Sequence, residues 1–127
     1  MTTTLSDHTT TDEPAHERAK RIIARTLATD HRGRYREENG EQVDNTISSA
    51  DLAERTPVGA STVRDLIPEV MDEYRLPIGD SNGYFVIEDF EEYARQVDKK
   101  VRQSQTSLDR ARLISATFNT RRFRGGV

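Results

Sequence analysis

The chain has 127 residues, of which 33% are hydrophobic, with a mean hydropathy of -0.82 and a formal net charge of -3. That size and polarity fit one small domain with polar extensions rather than two domains. The absence of cysteine excludes disulfides, thiolate zinc sites and cysteine nucleophiles.

No uncharged apolar run approaches the ~18 residues of a membrane span, and Met1 to Thr11 has no apolar core of a secretory leader. A soluble, cytoplasmic protein is therefore expected. The cations are almost all arginine, with lysine only at Lys20, Lys99 and Lys100. Scarce lysine beside 22 acidic residues predicts a halophilic chain, because carboxylates keep their hydration in concentrated salt. A GC-rich coding sequence gives the same arginine bias.

In chain order, residues 1–13 are Thr-rich with a single large apolar residue, Leu5. Nothing there offsets an ordering entropy of ~1–2 kcal/mol per residue, so a disordered tail is expected. Pro14 suits the start of a helix, where its missing N–H costs nothing. Ala19, Ile22, Ile23, Thr26 and Leu27 then recur at helical spacing to about Thr29, with Glu17, Arg18, Arg21 and Arg25 facing out. From 30 to 45 the periodicity fails among Gly33, Asn39-Gly40 and Asp44-Asn45, which predicts a long charged loop.

Thr46-Ile47 is too short to assign. Ser48 with Asp51 three residues on resembles a capping box opening a helix that Pro57 closes. A second helix starts near Ala60 or Ser61 and places Val63, Leu66, Ile67, Val70, Met71 and Tyr74 on one face. Pro68 inside it predicts a bend or a restart. Leu76 to Ile78 and Tyr84 to Ile87, around Asn82-Gly83, read as a β-hairpin.

Glu88 or Asp89 caps a last helix over 88–120, with no Gly or Pro to interrupt it and a length of ~45 Å. Its stripe of Ala94, Val97, Val101, Ser104, Leu108, Ala111, Ser115 and Phe118 alternates by three and four, as a coiled-coil seam does. Two arrangements follow: the helix folds back over Ile22, Ile23 and Leu27, or the stripe pairs with a second chain. Its length favours a homodimer through Ala94, Val97, Val101, Leu108, Ala111 and Phe118. Residues 121–127 are expected to form a basic flexible tail.

The order helix, short strand, helix, turn, helix, hairpin at 46–87 resembles a winged helix-turn-helix. Leu52-Ala53, Val58, Val63 and Leu66 fall where that family locks its helix pair, and Tyr84-Phe85-Val86-Ile87 resembles its returning wing strand. Ser48 to Ile87, a third of the chain, is similar to small winged-helix proteins of archaeal, phage and archaeal-virus genomes. Two departures stand out: Pro57 sits where the turn usually has Gly, with Gly59 expected to supply flexibility, and Pro68 limits the useful second helix to 60–67.

The implied fold class is mainly α with a small β-hairpin wing, over 14–87, plus the long C-terminal helix. The implied activity is sequence-specific binding of double-stranded DNA, as a dimeric transcriptional regulator, with the second helix entering the major groove. Ala60, Ser61, Thr62, Arg64 and Asp65 would face bases or phosphates, Arg64 suiting a guanine edge. Ser81 and Asn82 lie at the wing tip. Arg32, Arg34 and Arg36 in the loop, and Arg121, Arg122 and Arg124 in the tail, would reach the DNA backbone.

Residues 45–87 set three arginines against seven carboxylates, a net of -4, where a DNA reader normally carries a basic footprint. High salt shrinks the counterion-release term and softens that objection. The alternatives are a protein-docking module with an acidic face for a basic partner, and a replication-origin-binding protein of a virus or plasmid. His8, His16 and His31 are not at ligand spacing, so no metal site is expected. No catalytic constellation can be assembled either, and neither an enzyme, a cofactor, a small-molecule substrate nor a membrane partner is expected.

Overall fold

The computed structural model describes residues 13–103 and 105–125, with side chains over 13–103 and 108–120. The elements run α1 (Ala15–Asp30), β1 (Tyr35–Glu38), β2 (Glu41–Asp44), α2 (Ser49–Arg55), α3 (Ala60–Tyr74), β3 (Ile78–Asp80), β4 (Tyr84–Val86), α4 (Phe90–Val101) and α5 (Gln105–Gly125). The chain is mainly helical, with two small antiparallel hairpins.

Helix α1 follows Pro14 as expected and buries Ala19, Ile23, Ala24 and Leu27. Lys20 is buried as well, and its ammonium meets Glu17 at 2.9 Å and Glu73 and Glu69 of α3 at 2.7 and 3.3 Å. The hydrogen bonds it donates to Glu73 and Glu17 hold its pKa above the ordinary lysine value despite the desolvation.

The region expected to be a loop contains the β1–β2 hairpin. Asn39 (φ 53°) and Gly40 (φ 82°) form a two-residue turn with both φ positive, the geometry that Asn-Gly favours. Periodicity hid the strands because seven of their eight residues are exposed and almost all are polar. Buried Asn45 fastens the hairpin's base, its amide donating to the carbonyls of Arg32 and Gly33 at 3.2 and 3.0 Å.

Ser48 caps α2, its hydroxyl accepting from the Asp51 N–H at 3.0 Å. The chain turns through Thr56-Pro57-Val58-Gly59 into α3. Gly59 sits at φ -87°, open to any residue, so left-handed flexibility there is not what makes the turn. Helix α3 runs through Pro68 without restarting and buries Val63, Leu66, Ile67, Val70 and Met71. It ends at Arg75, which takes the left-handed conformation at φ 52°. Tyr74, expected inward, is exposed.

Strand β4 is the hub of the small sheet. It pairs with β3 (Gly79 opposite Phe85), while Ile47 bridges antiparallel to Tyr84 and Arg32 parallel to Val86. The unassigned Thr46-Ile47 is thus a single-residue strand. Gly83 (φ 147°) has no room for a side chain: a Cβ would lie 2.7 Å from the Thr46 hydroxyl oxygen.

The single long helix over 88–120 is not present. Asp89 caps α4, accepting from the Glu92 N–H at 2.7 Å. The helix stops at a turn through Arg102 and Gln103, and α5 returns antiparallel along α4. Tyr93 near the start of α4 stacks on Phe118 of α5 with centroids 4.5 Å apart, and its hydroxyl lies 3.2 Å from that of Ser115.

The stripe read as an intermolecular seam is therefore divided by the reversal. Ala111 and Phe118 are buried in this chain's own core, Val97 and Leu108 are half-buried, and Ala94 and Val101 are exposed. Ile114 and Phe118 join the cluster that contains Ile23, Leu27, Ile67 and Phe85. Burying two such side chains contributes ~1.5–3 kcal/mol each, which favours folding back. The backbone of 121–125, expected as tail, continues α5. The expectations for residues 1–12, Ser104 and the side chains of Arg121, Arg122 and Arg124 lie outside the described residues.

Candidate functional site

The tight α2–α3 crossing leaves the leading end of α3 open. Ser61, Arg64 and Asp65 are exposed, and Ala60 and Thr62 half-buried. Gly59 supplies no side-chain cap, so the first N–H groups of α3 have no side-chain acceptor from it. Arg64 donates to the Ser49 hydroxyl at 3.1 Å, which ties α3 to the start of α2.

Beside this end, Ser48 and Ser49 face the β3–β4 turn across a cleft of about 270 Å³ that is completed by Asp80, Asn82, Gly83 and Tyr84. Asn82 is exposed in the left-handed conformation (φ 63°), and its carbonyl accepts from Thr46 at 3.4 Å. Burial first, and the nearby Asp80 charge second, push the Tyr84 phenol above its ordinary pKa. The charges of Arg110 and Arg64 act in the opposite sense.

The second hairpin is held from behind by α4. Buried Gln96 donates to the Ser81 hydroxyl (3.1 Å) and to Glu92 (2.9 Å), and accepts from the Asp80 N–H (3.2 Å). Lys100 and Lys99 reach the Asp80 carboxylate at 2.8 and 3.3 Å. Ser81, expected to contact DNA, therefore has its hydroxyl engaged inside the protein, while Asn82 is the exposed member of the pair.

The three arginines near the first hairpin are paired and turned elsewhere. Arg32 meets Glu88 at 2.9 Å and Arg34 meets Glu92 at 3.7 Å, both directed at the beginning of α4. Arg34 also lies over the Tyr35 ring, 5.1 Å from its centroid. Arg36 serves its own hairpin through Glu38 (3.4 Å) and the Asp44 carbonyl (3.2 Å). The structure places Ser61, Arg64 and Asp65 at the leading end of α3, with Arg64 bonded to the Ser49 that lines the cleft together with Asn82, and it pairs Arg32, Arg34 and Arg36 with Glu88, Glu92 and Glu38.

Ser49 and Gln96 were not singled out by sequence reasoning, and Tyr84 was read there only as part of a strand. No group of three or more potential ligand side chains suited to a metal ion occurs among the described residues, and no helix among them is long and apolar enough to cross a membrane. A second cleft of about 320 Å³, between α1 and the end of α3, is lined by Arg21, Ala24, Arg25, Ala28, Tyr74 and Leu76. No family model, curated protein or solved structure matches the chain.

Proposed function

We propose that this chain is a winged-helix protein that binds double-stranded DNA, with α3 entering the major groove and the β3–β4 hairpin as its wing. The observation that carries this reading is the exposed, side-chain-uncapped leading end of α3 beside the hairpin turn. Ser61, Thr62, Arg64 and Asp65 are the groove-facing set, and the first N–H groups of α3 offer a phosphate contact.

Charge pairing weakens the electrostatic objection. Of the seven carboxylates in 45–87, Glu69 and Glu73 face Lys20, Asp80 faces Lys99 and Lys100, and Asp72 faces Arg75. Arg75 is already within the count of -4, but Lys20, Lys99 and Lys100 come from outside the segment, so the field around it is less negative than that count suggests. The same pairing weakens an acidic docking face, since Glu69 and Glu73 are engaged by Lys20.

Enrichment from a pool of random duplexes tests the reading. Wild-type protein is expected to bind with a salt-dependent affinity and to select a short motif. Ser61→Glu, which puts a carboxylate at the leading end of α3, is expected to weaken binding roughly tenfold or more while leaving the thermal melt unchanged. Absence of duplex binding at both low and high salt would overturn the assignment.

A further inference from the structure

We propose that the cleft between α1 and the end of α3 receives the exposed face of α4 from a second copy of this chain, with Phe90 as the anchor and Glu91 facing Arg25. The inference goes beyond the DNA-binding reading and does not depend on it.

The first ground is where apolar surface stays uncovered. Tyr35, Tyr74, Phe90 and Val101 are the exposed large hydrophobic residues among those described. Tyr35 lies under the Arg34 guanidinium, whereas the other three fall in two patches. Tyr74 lines the cleft with Ala24, Ala28 and Leu76, which makes its wall mostly apolar. Phe90 is 59% exposed, and Ala94 and Val101 follow it at steps of four and seven on one exposed side of α4. Contiguous apolar surface of this kind marks an interaction site. A volume of about 320 Å³ takes a phenyl ring with a methyl group beside it.

The second ground is complementary charge. The rim of the cleft is cationic, formed by Arg21 and Arg25. Arg25 is exposed and has no carboxylate partner among the described residues, while Arg21 holds Glu13 at 2.7 Å. The Arg21 hydrogen bond, with the charge of Arg18 adding to it, keeps the Glu13 carboxyl below its ordinary pKa, so this wall already favours a carboxylate. The acids beside Tyr74 are engaged, Glu73 by Lys20 and Asp72 by Arg75. The α4 stripe carries the opposite sign: Glu91 and Asp98, seven residues apart and both exposed, border it on one side. Glu91 has no cationic partner among the described residues, and Asp98 meets Arg102 at 3.2 Å in an exposed pair of little strength.

The cleft and the stripe are different surfaces, so the contact is heterologous: the helix of one copy enters the groove of the next. One ring and a few turns of helix make a small interface, and the association is weak and concentration-dependent.

Sedimentation equilibrium of the full chain from ~10 μM to ~1 mM tests this. The mass of wild type is expected to rise with concentration. A cleft variant, Arg25→Glu with Tyr74→Ser, and a stripe variant, Phe90→Gln with Val101→Lys, are each expected to stay monomeric. Their equimolar mixture should associate one to one, because the first keeps its stripe and the second keeps its cleft. Melting temperatures report whether each variant is folded. If one is not, charge reversal decides: Arg25→Glu and Glu91→Arg should each weaken association roughly tenfold, and the two together in one chain should restore it.

Wild type that remains monomeric at the highest concentration overturns the proposal. So does a mixture of folded variants that fails to associate, or a double charge reversal no better than its single members. If the stripe variant loses association while the cleft variant keeps it, two α4 stripes pair with each other and the cleft is not the receptor. None of the substituted residues lies at the leading end of α3, so each outcome leaves the DNA-binding reading to its own test.

Discussion

Two hairpins share the Asn-Gly dipeptide and have little else in common. In β1–β2, Asn39-Gly40 is the whole loop, and only Val43 among the strand residues is partly covered. In β3–β4, Asn82-Gly83 ends a three-residue connection between strands that bury Ile78, Phe85 and Val86. The first is a self-contained turn fastened at its base by Asn45. The second is clamped by Ile47 in front and by Gln96 and Lys100 behind. The dipeptide fixes how the chain reverses; the environment decides how much stability rides on the reversal.

Core truncation should separate the two most widely. Phe85→Ala removes a fully buried ring and is expected to cost ~3–5 kcal/mol. Val43→Ala in the first hairpin should stay within about 0.5 kcal/mol. Denaturant melts of both variants check the pair, and similar losses would mean that the first hairpin is as deeply integrated as the second.

Substitution at the turn glycines sharpens the contrast. At Gly83, alanine meets both a left-handed backbone and the Thr46 side chain, and a loss of ~1–3 kcal/mol is expected. At Gly40 the same change meets the backbone preference alone, with nothing within 4 Å, so the loss should be smaller, ~1 kcal/mol. Thermal melts of the two variants measure the difference.

The smallest effect is a pH dependence confined to the first hairpin. The Thr46 N–H donates to Asp44 at 2.8 Å, and this bond, ahead of the lesser influence of Arg34 and Arg36, holds the Asp44 carboxyl below its ordinary pKa. A depressed folded pKa gives stability that is present above the unfolded value and lost as pH falls through the folded one. Asp44→Asn keeps an acceptor for Thr46 and should flatten part of the acid limb of the stability curve, while Phe85→Ala should shift the whole curve without reshaping it.

What was legible in the sequence follows the same division. Elements whose residues face a core, α1, α3 and β3–β4, show apolar periodicity, and the Ser48 and Asp89 caps stand where their residue types place them. The first hairpin escaped because its strands have almost nothing to bury. The reversal after α4 escaped for another reason: Arg102 and Gln103 are ordinary helix formers, and no Gly or Pro marks the break. A stripe alternating by three and four fits a partner helix in the same chain as well as one in another, and only tertiary packing chooses.

That choice also governed the site. Ser61, Arg64, Asp65 and Asn82 follow from the local order of elements. The partners that neutralise Asp80, Glu69 and Glu73 arrive through long-range contacts. Charge counts along a segment mislead when the counter-ions arrive from distant parts of the chain.

The placement of the lysines has a practical consequence for chemical modification. Lys20 and Lys100 are buried in ion pairs, and Lys99 alone of the three has an exposed side chain. Acylating reagents directed at ε-amines should therefore mark Lys99 first and reach the other two only when the fold opens, which makes the labelling pattern a reporter of local unfolding around α1 and the second hairpin.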